Sequence, residues 1–153
     1  MRRLAAAIVL AALPLAACST GSGGGGGSGG PTAAGTSPAP AVSLQRFGGI
    51  GGNRDELTVQ PDGSWRRTAR VGGTTTGTLS ADGRDQLRRM AAEPTLRSEA
   101  TRTVPESDCA DAFDYSLTVG ATRIAWRDCG SATTPPASAS RIARFLLEST
   151  NSR

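Results

Sequence analysis

Ser19 to Ala41 holds nothing from which a core can be built. The stretch is Gly, Ser, Thr, Ala and Pro, without a charge or a large apolar residue, and Gly23 to Gly27 is unbroken glycine. Such a segment cannot bury enough surface to offset its chain entropy. It reads as a disordered tether, flexible through its Gly/Ser half and stiffer towards Pro38-Ala39-Pro40. Folding is thereby confined to the roughly one hundred residues that follow, from Val42 to Ser149, which suffice for one domain with a single core.

What precedes the tether says why a tether is needed. Arg2-Arg3 is followed by an apolar run from Leu4 to Leu15 and then by Ala16-Ala17-Cys18. Two cations, a short apolar stretch and small residues ahead of a cysteine make an export signal, and Leu15-Ala16-Ala17-Cys18 resembles the lipobox of bacterial lipoproteins. The run falls short of the ~20 apolar residues of an ordinary spanning helix. The expected organisation is a signal peptide over residues 1–17, a lipid-anchored linker over 18–41 and a folded domain over 42–149. Cys18 is then the lipidated first residue of the mature protein, which sits on the extracytoplasmic face of the cell membrane. The competing reading is a secreted protein with an ordinary signal peptide and a free Cys18.

Composition removes whole classes of chemistry. The chain has no histidine and no lysine, so its 17 basic residues are all arginine. Serine or cysteine triads built on histidine, and histidine-ligated zinc, are excluded. Lysine Schiff bases and Walker-type phosphate loops are excluded as well. Without Arg2 and Arg3 there remain 15 arginines against 13 acidic residues, a net of +2. The arginines are scattered apart from Arg66-Arg67 and Arg88-Arg89, so the basic balance reflects a high-GC, actinobacterial type of genome and not a nucleic-acid patch. No cofactor and no metal site are expected.

With Cys18 assigned to lipid, Cys109 and Cys129 are left, and two cysteines in a small exported domain should pair. The segment between them supports this. Phe113, Tyr115, Leu117 and Val119 alternate with polar or small residues, and Thr122, Ile124 and Trp126 alternate again after Gly120-Ala121. A tight β-hairpin follows. A two-residue turn sets Val119 opposite Thr122, Leu117 opposite Ile124 and Tyr115 opposite Trp126, with Asp114 facing Arg127 on the other side. The cysteines lie just beyond the open end, where a bridge closing about 20 residues contributes roughly 3 kcal/mol in the chain-entropy model.

Elsewhere, Val42 to Phe47 alternates as a strand, Glu56 to Gln60 forms a second, and Ser64 to Val71 returns as a third after Pro61-Asp62-Gly63. Thr74 to Leu79 is one further short strand. Ser80 caps a helix from Ala81 to Ala92 with Leu87, Met90 and Ala91 inward, and Pro94 ends it. Thr95 to Asp108 is polar and without pattern. Thr134, Pro135 and Pro136 start a last helix with Ile142, Phe145 and Leu146 as its apolar stripe. The expected class is α+β, a twisted antiparallel sheet with two helices on one face and one disulfide.

Several segments occur together in a particular order. Phe47-Gly48-Gly49-Ile50-Gly51-Gly52 follows an opening strand, then come Val59-Gln60-Pro61-Asp62-Gly63 and Leu79-Ser80 before a helix. Asp111 to Thr118 and a late Thr134-Pro135 complete the set. This arrangement, from Ser43 to Leu147, resembles the emfourin family. The resemblance implies a small non-enzymatic inhibitor of thermolysin-like metalloproteases, protealysin being the reference target. Export and the Cys109–Cys129 pair depart from the family pattern. The alternative is an envelope binding module of the same fold that inhibits nothing. An enzyme lacks a nucleophile–base set here, and a disulfide-bonded subtilisin inhibitor would need a second bridge.

The glycine loop Gly48-Gly49-Ile50-Gly51-Gly52 has two readings. It is flanked by strands and lacks the G-x-G-x-x-G order of a dinucleotide loop. The leading reading is structural: a bulge or crossover loop that needs positive φ, with Ile50 turned into the core. The second is an exposed loop that offers Ile50 to a partner, since thermolysin-like proteases favour a large apolar residue in their specificity pocket. Asp108, Asp111 and Asp114 do not match a calcium loop and read as solvated charges and a salt bridge. The expected partners are therefore the membrane, through the lipid on Cys18, and a metalloprotease, with no nucleic acid. For the anchor, Cys18→Ser is expected to move the protein from the membrane pellet to the medium or leave it unprocessed. An unchanged membrane fraction with normal processing would refute it.

Overall fold

The computed structural model of the chain describes residues 39–104, 109–130 and 133–151. Six strands make one antiparallel sheet in the order β4-β3-β2-β1-β5-β6. They are β1 Val42–Gly48, β2 Asn53–Val59, β3 Ser64–Ala69, β4 Gly73–Thr78, β5 Phe113–Val119 and β6 Thr122–Asp128. Helices α1 Ala81–Ala91, α2 Thr95–Glu99 and α3 Ala137–Ser149 complete the domain. The class is α+β with one disulfide, and no described helix is long and apolar enough to cross a membrane.

Period-two patterning explains the sheet. Leu44 pairs with Leu57 on one side and Leu117 on the other, and Val42 pairs with Val59 and Val119. Ile124 and Trp126 extend the same face across β6. Leu87 and Met90 of α1, Leu96 of α2 and Ile142, Ala143 and Leu146 of α3 join these residues in one buried cluster, so the helices lie over a single face. The other face carries Ser43, Gln45, Glu56, Thr58, Ser116 and Thr118 and is polar, as expected for an antiparallel sheet with one wet side. The β5–β6 register matches the pattern of alternation at every pair named above, Asp114–Arg127 included, with 2.7 Å between their charged atoms. Cys109 and Cys129 are bridged, with their Cα atoms 6.0 Å apart.

The helix ends differ in how they are satisfied. Ser80 caps α1 through its hydroxyl, which accepts from the Gly83 amide at 3.1 Å. Thr134 does not serve α3, whose flanking Pro136 offers no side-chain acceptor. Its cap comes from another helix. Both Glu99 carboxylate oxygens, at the end of α2, accept the Ser138 and Ala139 amides at 2.8 and 2.9 Å. A carboxylate on a helix N-terminus satisfies orphan donors and favours the local dipole. The patternless stretch after Pro94 thus contains a five-residue helix whose role is to deliver Glu99.

At the far end of the helix-covered face sits a buried ion cluster. Asp55 is 4% exposed. One of its carboxylate oxygens accepts from Arg46, and the other from Arg67 at 2.9 Å. Arg67 also donates to Asn151 Oδ1 at 2.7 Å, which ties the sheet to the residue after α3. Burial alone would raise the Asp55 pKa, but the hydrogen bonds and charges of Arg67 and Arg46 outweigh it and hold the carboxyl below its ordinary 3.8. A depressed folded value means stability that is present above the unfolded pKa and lost as pH falls through the folded one. Asp55→Asn strips both guanidiniums of their counter-charge and is expected to cost roughly 3 kcal/mol. It should also flatten the loss of stability below about pH 4, as read from urea unfolding midpoints between neutral and acid pH.

Candidate functional site

Alternating strand direction gathers four connections at one end of the sheet. The β1–β2 turn, the β3–β4 turn, the segment entering β5 and the exit of β6 all lie there, because Gly48 pairs with both Asn53 and Phe113, and Phe113 pairs with Asp128. The disulfide closes the same end.

The glycine loop is neither a bulge nor a crossover. It is a hairpin turn joining β1 directly to its antiparallel neighbour β2, closed by the Gly52 amide donating to Gly49 O at 2.9 Å. Ile50 is not core: it is 91% exposed at the tip. The physical reason is local crowding. The Gly49 amide donates to Ala112 O at 2.9 Å, so the chain ahead of β5 lies hard against the loop's base. A Cβ on Gly48 would sit 2.1 Å from Ala112 O, and one on Gly49 would sit 2.5 Å from the Phe113 ring. Both glycines also hold positive φ, at 111° and 71°. The base of the loop is filled by backbone and the Phe113 ring, and Ile50 projects beyond it.

The opposite flank is fastened too. The Arg70 guanidinium donates to the carbonyls of Gly51 and Gly52, and the Arg70 amide donates to Arg54 O at 2.9 Å. Beside Arg70, at the tip of the β3–β4 turn, Val71 is 87% exposed. Two β-branched apolar side chains therefore stand on adjacent hairpin tips, with hairpin centres roughly 10 Å apart. Arg70 joins the hairpins, and the first is tied through Ala112 to the disulfide-bonded segment. Arg70 and Val71 carry no sequence signal of their own. Only the pairing of β2 with β3 brings Arg70 under the glycine turn.

The remaining candidates are dispersed. Cys18 and Asp108 lie outside the described residues. Asp111 occupies a turn at φ 63°, and Asp114 is paired with Arg127 on the open sheet face. Among the described residues no group of three or more His, Cys, Asp or Glu side chains is placed to hold a metal ion. A hollow of about 330 Å³ beside α3 is lined by Tyr115, Trp126, Ser140 and Arg144 among others. Tyr115 and Trp126 stack there with ring centroids 4.7 Å apart. This places the aromatic pair at the helix–sheet boundary, with Tyr115 6.2 Å from the Phe113 ring that packs on the base of the glycine turn.

Ile50→Asp is expected to leave unfolding free energy within about 0.5 kcal/mol of wild type, as for other exposed positions. Gly48→Ala should cost roughly 3 kcal/mol from strain and backbone overlap. Thermal and urea melts of the two variants separate a presenting residue from the scaffold beneath it. No protein-family model matches the chain, and no curated protein matches it.

Proposed function

We propose that this chain is a surface-anchored bacterial lipoprotein whose domain is a non-catalytic inhibitor of thermolysin-like metalloproteases, acting through the glycine turn around Ile50. The observation that carries the reading is a large β-branched side chain, 91% exposed, on a turn fastened at both flanks. An apolar side chain held out on a restrained loop loses little conformational freedom when a pocket closes on it, which is the advantage of preorganisation. The glycines leave the turn slim enough to enter a cleft. The domain has no histidine to offer a catalytic zinc, so inhibition would come from filling the cleft with backbone and the Ile50 side chain. Emfourin-like segment order is the second support, and the Leu15-Ala16-Ala17-Cys18 signal supports the extracytoplasmic placement.

The test is titration of the purified protein against secreted thermolysin-like and subtilisin-like proteases. The expected result is stoichiometric inhibition of the first group only, weakened at least about tenfold by Ile50→Asp, a loss of about 1.4 kcal/mol of binding. No inhibition of either group would favour the envelope binding module instead. Full inhibition by a stable Ile50→Asp protein would remove this turn from the contact surface.

A further inference from the structure

The two edges of the sheet are built differently. β6 carries Arg123, Arg127 and Asp128, and α2 packs against it. Charges and a covering helix are common protections against unwanted strand pairing. β4 has neither a charge nor a proline: it reads Gly73-Thr74-Thr75-Thr76-Gly77-Thr78. It pairs with β3 along its whole length. Among the described residues, none of the turn, loop or cap backbone hydrogen bonds involves Gly73–Thr78. Among the described residues, the outer side of β4 is therefore a β-branched, uncharged edge whose backbone groups pair with no further strand.

The edge is also self-complementary. Residues 73 to 77 read the same in both directions about Thr75. Antiparallel pairing of two copies about that residue sets Thr75 opposite Thr75, each Thr74 opposite Thr76 and each Gly73 opposite Gly77. Residues directly opposite in a ladder share a face, so this register puts both helix layers on the same side. It also sets like against like, and cross-strand threonine pairs are favourable. Gly77 needs a slim neighbour, because the Trp65 ring already lies over it, 2.5 Å from where a Cβ would be. Gly73 meets that need.

We propose that β4 is an interface between two copies of this chain, which join edge to edge about Thr75 into one continuous sheet. An isologous contact of this kind needs one self-complementary patch and closes on itself as a dimer. It lies on the sheet edge and does not depend on what the glycine turn binds.

Two measurements on the full-length purified protein test it. Under mild oxidation, Thr75→Cys should give a disulfide-linked dimer. Thr78→Cys should not, because its two copies would stand about 20 Å apart in this register. The parent protein provides the background from Cys18. Sedimentation then compares two double variants that share Thr76→Glu, which sets a carboxylate beside Arg66 of β3, and that differ only at position 74. Thr74→Glu with Thr76→Glu puts two like-charged pairs across the interface and should weaken dimerisation roughly tenfold or more. Thr74→Lys with Thr76→Glu should restore it, and equal melting temperatures would show that both fold. A monomer at every concentration would overturn the proposal. So would equal cross-linking at positions 75 and 78, or a dimer indifferent to the charge at position 74, including one built by another surface.

Discussion

The pairing of β1 with β5 holds the domain together. β1 to β4 are successive hairpins, each strand next to its sequence neighbour, and β5 and β6 form another hairpin about seventy residues away from β1 along the chain. Among the described strands, only β1 pairs with both groups. Val42 and Leu44 are flanked by valine and leucine on either side and are almost fully buried. A long-range pairing of this kind closes a large loop before its contacts form, which slows folding. The three-strand ladder of Leu57, Leu44 and Leu117 is the apolar contact that offsets the cost.

Polar groups then fix what the apolar ladder leaves adjustable. Glu99 binds the first amides of α3 and so sets where that helix begins. Arg67 reaches Asn151 at the other end, setting where the chain after the helix must lie. Between the two anchors, Ile142 and Leu146 have one position against the sheet. Asp55 sits between Arg46 and Arg67 and keeps two guanidiniums on the helix-covered face. Removing one member is costly because the charges that remain have nowhere to go.

Legibility in the amino-acid sequence followed the strength of local pattern. The β5–β6 hairpin was readable pair by pair, since period two and a Gly-Ala turn leave one register that buries every large apolar residue. Ser80 announced α1 because its cap lies within its own segment. α2 was not readable: five residues cannot display a helical period, and its purpose is a contact with α3 some forty residues on. The strand at β2 began earlier than its apolar pattern, as Asn53 and Arg54 are held by pairing with β1 and not by burial. The sequence favours an inward Ile50 over an exposed one, and the structure reverses this. What expels it is Ala112 O and the Phe113 ring at the base of the turn, and nothing near Ile50 in the chain encodes that neighbour. The disulfide was legible from the expectation of export and from the hairpin that spaces Cys109 and Cys129.

The direction of β1 has a mechanical consequence. The chain enters the sheet through Ala41, whose carbonyl accepts the Gly120 amide at 3.0 Å, and β1 runs from there to the glycine turn at the opposite end. A pull between Ala41 and anything gripping the hairpin tips acts along the axis of this strand. Its hydrogen bonds to β2 and β5 lie across that axis, so they are loaded together in shear and cannot be peeled one at a time. With the proposed anchor ahead of Ala41, a domain gripped at its far tip would carry tension through the strand that is bonded on both sides.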